Sequence, residues 1–161
     1  MSSRYNDYSV KDFDQYDCLK ISKRFYLVLI FILRAYIVWI ISVTNMRDRV
    51  GIMQWLYPET HLFFLSLISG SIGLFAVFII ALRRPNAALW LQIAWRNFRT
   101  ILLIALLFDF LINIIAFYYW QLLSQSWLLV QGTVVAILII LCFTSKRINL
   151  NLTEFPKEMP K

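Results

Sequence analysis

The chain has 161 residues, 60% of them hydrophobic and 16% charged, with a formal net charge of +7. A soluble domain carries about 25% charged residues, whereas here Leu, Ile, Val and Phe gather in runs of about twenty, the length a helix needs to cross a hydrocarbon core of roughly 30 Å. This excludes an ordinary soluble domain, and because the basic residues flank the apolar runs they read as topology signals and a surface for anionic lipid headgroups, with no nucleic-acid partner.

Residues 1–24 are expected to be a cytoplasmic tail. Tyr5, Tyr8, Phe13 and Tyr16 alternate there with Asp7, Asp12, Asp14 and Asp17 without a sustained period. Such a segment either folds back on a basic face or stays a mobile terminus. The first span is predicted at about 25–43, FYLVLIFILRAYIVWIISV, as one helix with Arg34 at its centre. It is expected to be a retained anchor, because more than twenty residues precede it and no A-x-A cleavage site follows. A loop over 44–59 holds Arg47 and Arg49. The second span, about 60–82, opens just after Pro58 and stops at RRPN, where Pro85 discourages a helix.

Segment 86–100, NAALWLQIAWRNFRT, places Gln92, Arg96 and Arg99 at i, i+4 and i+7, with Leu91, Ala94, Trp95 and Phe98 elsewhere around the helix. It is expected to be an interfacial amphipathic helix, with a straight extension of the third span as the alternative. The third and fourth spans, about 101–120 and 124–143, form one apolar run divided by the polar turn QLLSQS at 121–126. Residues 144–161 are expected to be a cytoplasmic tail, loose over 148–161 with Pro156 and Pro160, in which the glycosylation pattern NLT (151–153) has no consequence. Trp55, Tyr57, Tyr118, Tyr119, Trp120 and Trp127 are expected at headgroup level.

With four spans, one side of the membrane collects thirteen Lys and Arg and the other only Arg47 and Arg49. The positive-inside rule then places both termini in the cytoplasm. The fold class predicted is an all-α membrane protein, a bundle of four transmembrane helices over 25–143. Cys18 and Cys142 fall on the reducing side, where no disulfide is expected. No Cys/His spacing suits a metal and His61 is the only histidine, so no metal or cofactor is expected.

Two charges lie inside the spans. Arg34 is about ten residues into the first, and Asp109 eight or nine residues into the third, which runs in the same direction. Both therefore sit near the bilayer midplane, where a lone charge costs at least about 2.5–3.5 kcal/mol and charges usually pair. Asn113 is four residues after Asp109 on the same face, with Ala105 and Ala116 continuing the stripe; Gln131 on span four joins the expected polar centre. Ser66/Gly70 and Ser69/Gly73 are small-xxx-small pairs that permit close helix approach. Three roles are open for the centre: a structural lock fixing helix register, a proton or ion relay, or a docking site for a partner's helix. An arginine beside Asp109 favours the charged carboxylate and so works against the relay.

The order YDCLKIS, then LRAYIV within the first span, then WLYPE before the second and RR after it, over about residues 13–145, resembles the YfeZ-like family of small inner-membrane proteins of gammaproteobacteria, a family of unknown function. The resemblance implies a multi-pass protein of a bacterial inner membrane and carries over no catalytic residues. No HExxH, GxSxG or phosphate-loop motif is present, and Asp109 lacks a second acid at its depth. The expected role is a non-enzymatic accessory or structural component of a larger membrane complex. The alternative is a small homo-oligomeric carrier or channel using the Arg34/Asp109 centre.

Overall fold

The structure, a computed structural model, describes residues 12–14, 16, 18–45, 51, 54, 57, 59–85, 87–120 and 123–156. Seven helices organise them: α1 (Lys23–Ile32), α2 (Arg34–Thr44), α3 (Thr60–Ala81), α4 (Leu89–Arg96), α5 (Phe98–Trp120), α6 (Gln125–Thr144) and α7 (Lys146–Thr153). Helices α3, α5 and α6 are each long and apolar enough to cross a membrane, and α1 with α2 make a fourth crossing if the bent pair counts as one span.

The first span is not the single helix expected. It breaks at Leu33, and its two halves are bent by 68°. The helical ladder runs as far as Leu33 N–H to Leu29 O at 2.8 Å and resumes with Ile37 N–H to Leu33 O at 3.0 Å. The Ile30 and Ile32 carbonyls thus fall outside it, while the Phe31 carbonyl accepts a backbone N–H at the helix cap. No proline or glycine lies here; the cause is a side chain entering the ladder, one of the few recognised origins of a sharp kink. The Arg34 guanidinium donates from Nη1 to the same Phe31 carbonyl at 3.1 Å, capping α1 with a cation where the helix dipole is negative. Bent this much, the two halves reach about 26 Å along their mean direction, against about 33 Å for a straight helix of the same length.

The packed interior divides into two apolar clusters. The larger contains Phe25, Val28, Ile32, Ile79, Trp95, Phe98, Leu102 and Leu138 among others. The smaller joins Ala35, Val38, Tyr57, Leu62, Phe63 and Ala116. Tyr57, expected at headgroup level, is buried there, its ring 5.6 Å from that of Phe63 in an edge-on contact. Trp127 and Tyr118 are exposed; Trp55, Arg47 and Arg49 lie outside the described residues.

The segment before α1, helix α4 and helix α7 share one end of the bundle. Leu19 N–H donates to Glu154 Oε2 at 2.8 Å, and the fully buried Trp95 donates from Nε1 to the carbonyls of Asn151 at 2.9 Å and Glu154 at 3.1 Å. Arg83 stacks 4.5 Å from the Trp95 ring. The Asn151 amide, oriented to satisfy both its groups, donates to Leu19 O and accepts from Ser22 N–H, each at 3.0 Å. The expectation of a loose tail from residue 148 is therefore corrected over 148–156. Ser145 caps α7 by accepting from Ile148 N–H, Ile148 and Asn151 are fully buried, and two tails that would each be mobile alone close on one another. Replacing Trp95 with Phe keeps the ring but removes both carbonyl partners. The expected result is a loss of roughly 1–2 kcal/mol and faster protease cleavage between Lys146 and Glu154, read by mass spectrometry of limited digests.

Helix α4 is also shorter than the surface helix predicted over 86–100. It ends at Arg96, the chain turns at Asn97, and α5 starts at Phe98. Arg99 consequently belongs to α5, where it donates to Asn149 Oδ1 at 3.0 Å and lies 3.8 Å over the Phe143 ring. Gln92 and Arg96 thus lie on α4 and Arg99 on α5.

Candidate functional site

Between the two apolar clusters lies a polar layer to which α2, α3, α5 and α6 contribute. Asp109 on α5 is its hub, with its side chain 1% exposed. Arg34 Nη2 lies 3.0 Å from Oδ2 and 3.2 Å from Oδ1. Ser69 on α3 donates to Oδ1 at 2.8 Å, and Gln131 on α6 donates from Nε2 to Oδ2 at 3.1 Å. Each oxygen therefore has the guanidinium plus one neutral donor. The Ser69 hydroxyl also lies 3.0 Å from its own helix's Ser66 carbonyl; having one proton, it is drawn to the shorter, charge-assisted contact.

Local sequence explains why these atoms meet. Small residues let the backbones approach: a Cβ on Gly70 would lie 2.9 Å from Tyr36 Cε2 and 3.2 Å from the Ile32 carbonyl, and one on Gly73 only 2.7 Å from Ile32 Cγ2. The two glycines hold α3 directly against the break in the first span. Gly70's neighbour is one of the carbonyls that the break sets free, and the same closeness places Ser69 at the carboxylate.

The residues singled out by sequence divide into three roles. Arg34, Asp109 and Gln131 come together directly. Asn113 is buried on the same face but does not bind the carboxylate, because its amide turns back to the Asp109 backbone carbonyl at 2.7 Å. Gly70 and Gly73 pack as small residues against the first span, while Ser69, assigned only to packing, is also a direct ligand of Asp109. Ser66 is buried beside it. Sequence reasoning missed Tyr57. Its hydroxyl is buried with no hydrogen-bond partner, although it lies beside Ser66 and Arg34. Burial pushes this phenol above its ordinary pKa, and the Arg34 charge pulls it partly back. A Tyr one residue before a proline gives no periodic signal for this position.

The Arg34 side chain is 23% exposed, with its planar group 4.6 Å from the Phe31 ring centroid. Chemically the layer can hold a charge pair in a dry interior and fix the relative height of four helices. Among the described residues no three His, Cys, Asp or Glu side chains assemble as a metal-holding group.

Fold and site define an all-helical protein with three to four candidate membrane-crossing helices around an internal ion pair. The chain belongs to the DUF2919 family, described as a protein of unknown function, whose profile matches residues 8–154. Neither the curated proteins nor the solved structures contain a match.

Proposed function

We propose that this is a multi-pass protein of a bacterial inner membrane, of the YfeZ-like kind found in gammaproteobacteria, with both termini in the cytoplasm, and that it acts as a non-enzymatic accessory or structural component of a larger membrane complex. The observation that carries the role is the Asp109 carboxylate. All its positions toward Arg34, Ser69 and Gln131 are filled, as suits a centre that fixes helix register more than one that exchanges protons. The orientation is supported by the thirteen basic residues on one side and by contacts between the N-terminal segment, α4 and α7 at one end of the bundle. Leu89, Trp90 and Ile93 of α4 point outward, 77%, 48% and 64% exposed. With the exposed Arg84 and Arg96 they suit a helix resting among anionic headgroups.

A carrier or channel built from several copies is the second reading, favoured by the broken first span. Interrupted helices with freed carbonyls near the midplane occur where transporters bind their ions and substrates.

Isolation of the tagged protein from its native host in mild detergent or nanodiscs, with native mass determination, separates the two. The accessory role predicts one reproducible larger membrane partner in fixed ratio. A partner-free homo-oligomer whose expression changes solute uptake, with that change abolished by Asp109→Asn, would replace it by the carrier.

A further inference from the structure

The two faces of α4 meet different surroundings. Leu91 and Trp95, four residues apart, are 2% and 1% exposed and belong to the larger apolar cluster. Leu89, Trp90 and Ile93 project from the other side. Arg96 follows Ile93 by three residues, which sets a cation at the edge of the same apolar face. Arg84 and Arg96 are both exposed, and neither joins an ion pair among the described residues. No Asp or Glu occurs between Glu59 and Asp109, so nothing in this stretch of chain offsets the two guanidinium groups.

The inner face closes the junction of the two tails. The Trp95 indole N–H is shared by the Asn151 and Glu154 carbonyls. Arg83 Nη2 donates to that same Glu154 carbonyl at 3.3 Å, and the Glu154 carboxylate holds Leu19 N–H. Two consecutive arginines thus divide: Arg83 binds the tail, and Arg84 stays exposed. With eight residues, α4 is shorter than the roughly 12–15 that an isolated helix needs in water. Its place therefore depends on what covers both of its faces.

Helix α4 joins the end of α3 to the start of α5. On the reading of these two as crossings with both termini in the cytoplasm, on which the inference rests, α4 lies at headgroup level in the inner leaflet. An apolar face edged by cations complements an anionic lipid surface: the apolar side chains enter the acyl boundary and the guanidinium groups meet phosphates. Three apolar side chains fall well short of the roughly 20–30 residues that a stable protein interface engages on each side.

We infer that the outer face of α4 docks on anionic phospholipid, with Arg84 and Arg96 as the phosphate-binding groups, and that this contact holds the tail junction behind Trp95 closed. A lipid that binds only the docked arrangement of α4 shifts the population toward it. Protection of α7 then reports the anionic content of the leaflet.

The test places the full chain in phosphatidylcholine nanodiscs with and without phosphatidylglycerol. Amide hydrogen exchange over 146–154 is followed by mass spectrometry for wild type and for Arg84→Gln combined with Arg96→Gln. Both side chains are exposed, so in phosphatidylcholine alone the double variant should match wild type. Phosphatidylglycerol should slow exchange in wild type on the order of tenfold, from two cations near an anionic surface. The double variant should lose that gain, and added salt should erode it in wild type. Equal exchange in the two lipids, or a protection that the double variant keeps, overturns the inference. A benzophenone side chain placed at residue 93 identifies the occupant in native membranes: lipid adducts support the inference, and a reproducible protein adduct gives the face to a partner and overturns it. Both leaflets of a disc carry the same lipid, so the result is independent of which way the chain faces in the cell. The cytoplasmic orientation fails on a different measurement, a reporter fused to the C-terminus.

Discussion

Asp109→Leu is expected to be the most damaging single substitution in the chain, lowering stability by about 3–5 kcal/mol and collapsing the yield of monodisperse protein in detergent. The change strands the Arg34 guanidinium beside an apolar side chain and removes the shared acceptor of Ser69 and Gln131. The diagnostic result lies in the combination. Arg34→Met with Asp109→Leu removes both charges at similar volume, and such paired replacements of buried ions are often neutral or better. The double variant should therefore recover most of the loss, measured as the coupling in a double-mutant cycle. Arg34→Asp with Asp109→Arg should recover less, because Ser69 and Gln131 stand as donors on the α5 side and would have to turn to meet a cation. A cycle with no coupling would show that the two charges are stabilised independently.

Gly73→Val is expected to rank second. A Cβ at this position would meet Ile32 Cγ2 at 2.7 Å and Leu33 Cδ2 at 3.2 Å. Ile32 is itself buried and β-branched, so it has few rotamers into which to retreat. The helices must separate, at a cost of about 1–3 kcal/mol for overpacking, and the gap opens at the level where Ser69 reaches Asp109. Gly73→Ala should cost less, and Gly132→Ala less still, since at Gly132 the nearest atoms are the Phe110 ring edge at 3.2 Å. Thermal unfolding of the three variants in one detergent gives the order, and equal losses would contradict close packing against the break.

The pairing of Arg34 with Asp109 was legible because it follows from counting: two opposite charges, two parallel spans, one depth. Gln131 and the glycines followed from residue type within spans. The break at Leu33 was not legible. FILRAYIVWI contains no helix breaker, and the ladder opens only because α3 and α5 offer Arg34 a position in which its guanidinium can cap Phe31 and face Asp109 together. Ser69 was assigned to packing because a serine four residues before a glycine gives the same signal in either role. The docking of α7 is a similar case. Ser145 three residues before Ile148 is a local capping signal that the flanking prolines obscured, whereas the burial of Asn151 depends on backbone atoms of residues 19 and 22, which no local pattern announces.

The polar layer also has a consequence in time. Arg34 and Asp109 are 75 residues apart, and translation proceeds at about 5–20 residues per second. The cation thus enters the bilayer roughly 4–15 s before its counterion has been made, followed by Ser69 and only later by Asp109 and Gln131. During that interval the nascent first span carries an unneutralised guanidinium, which has water and headgroups as its outlets. The ion pair of this protein can therefore close only once the third apolar segment has left the ribosome, and a chain truncated after the second would hold Arg34 without its counterion.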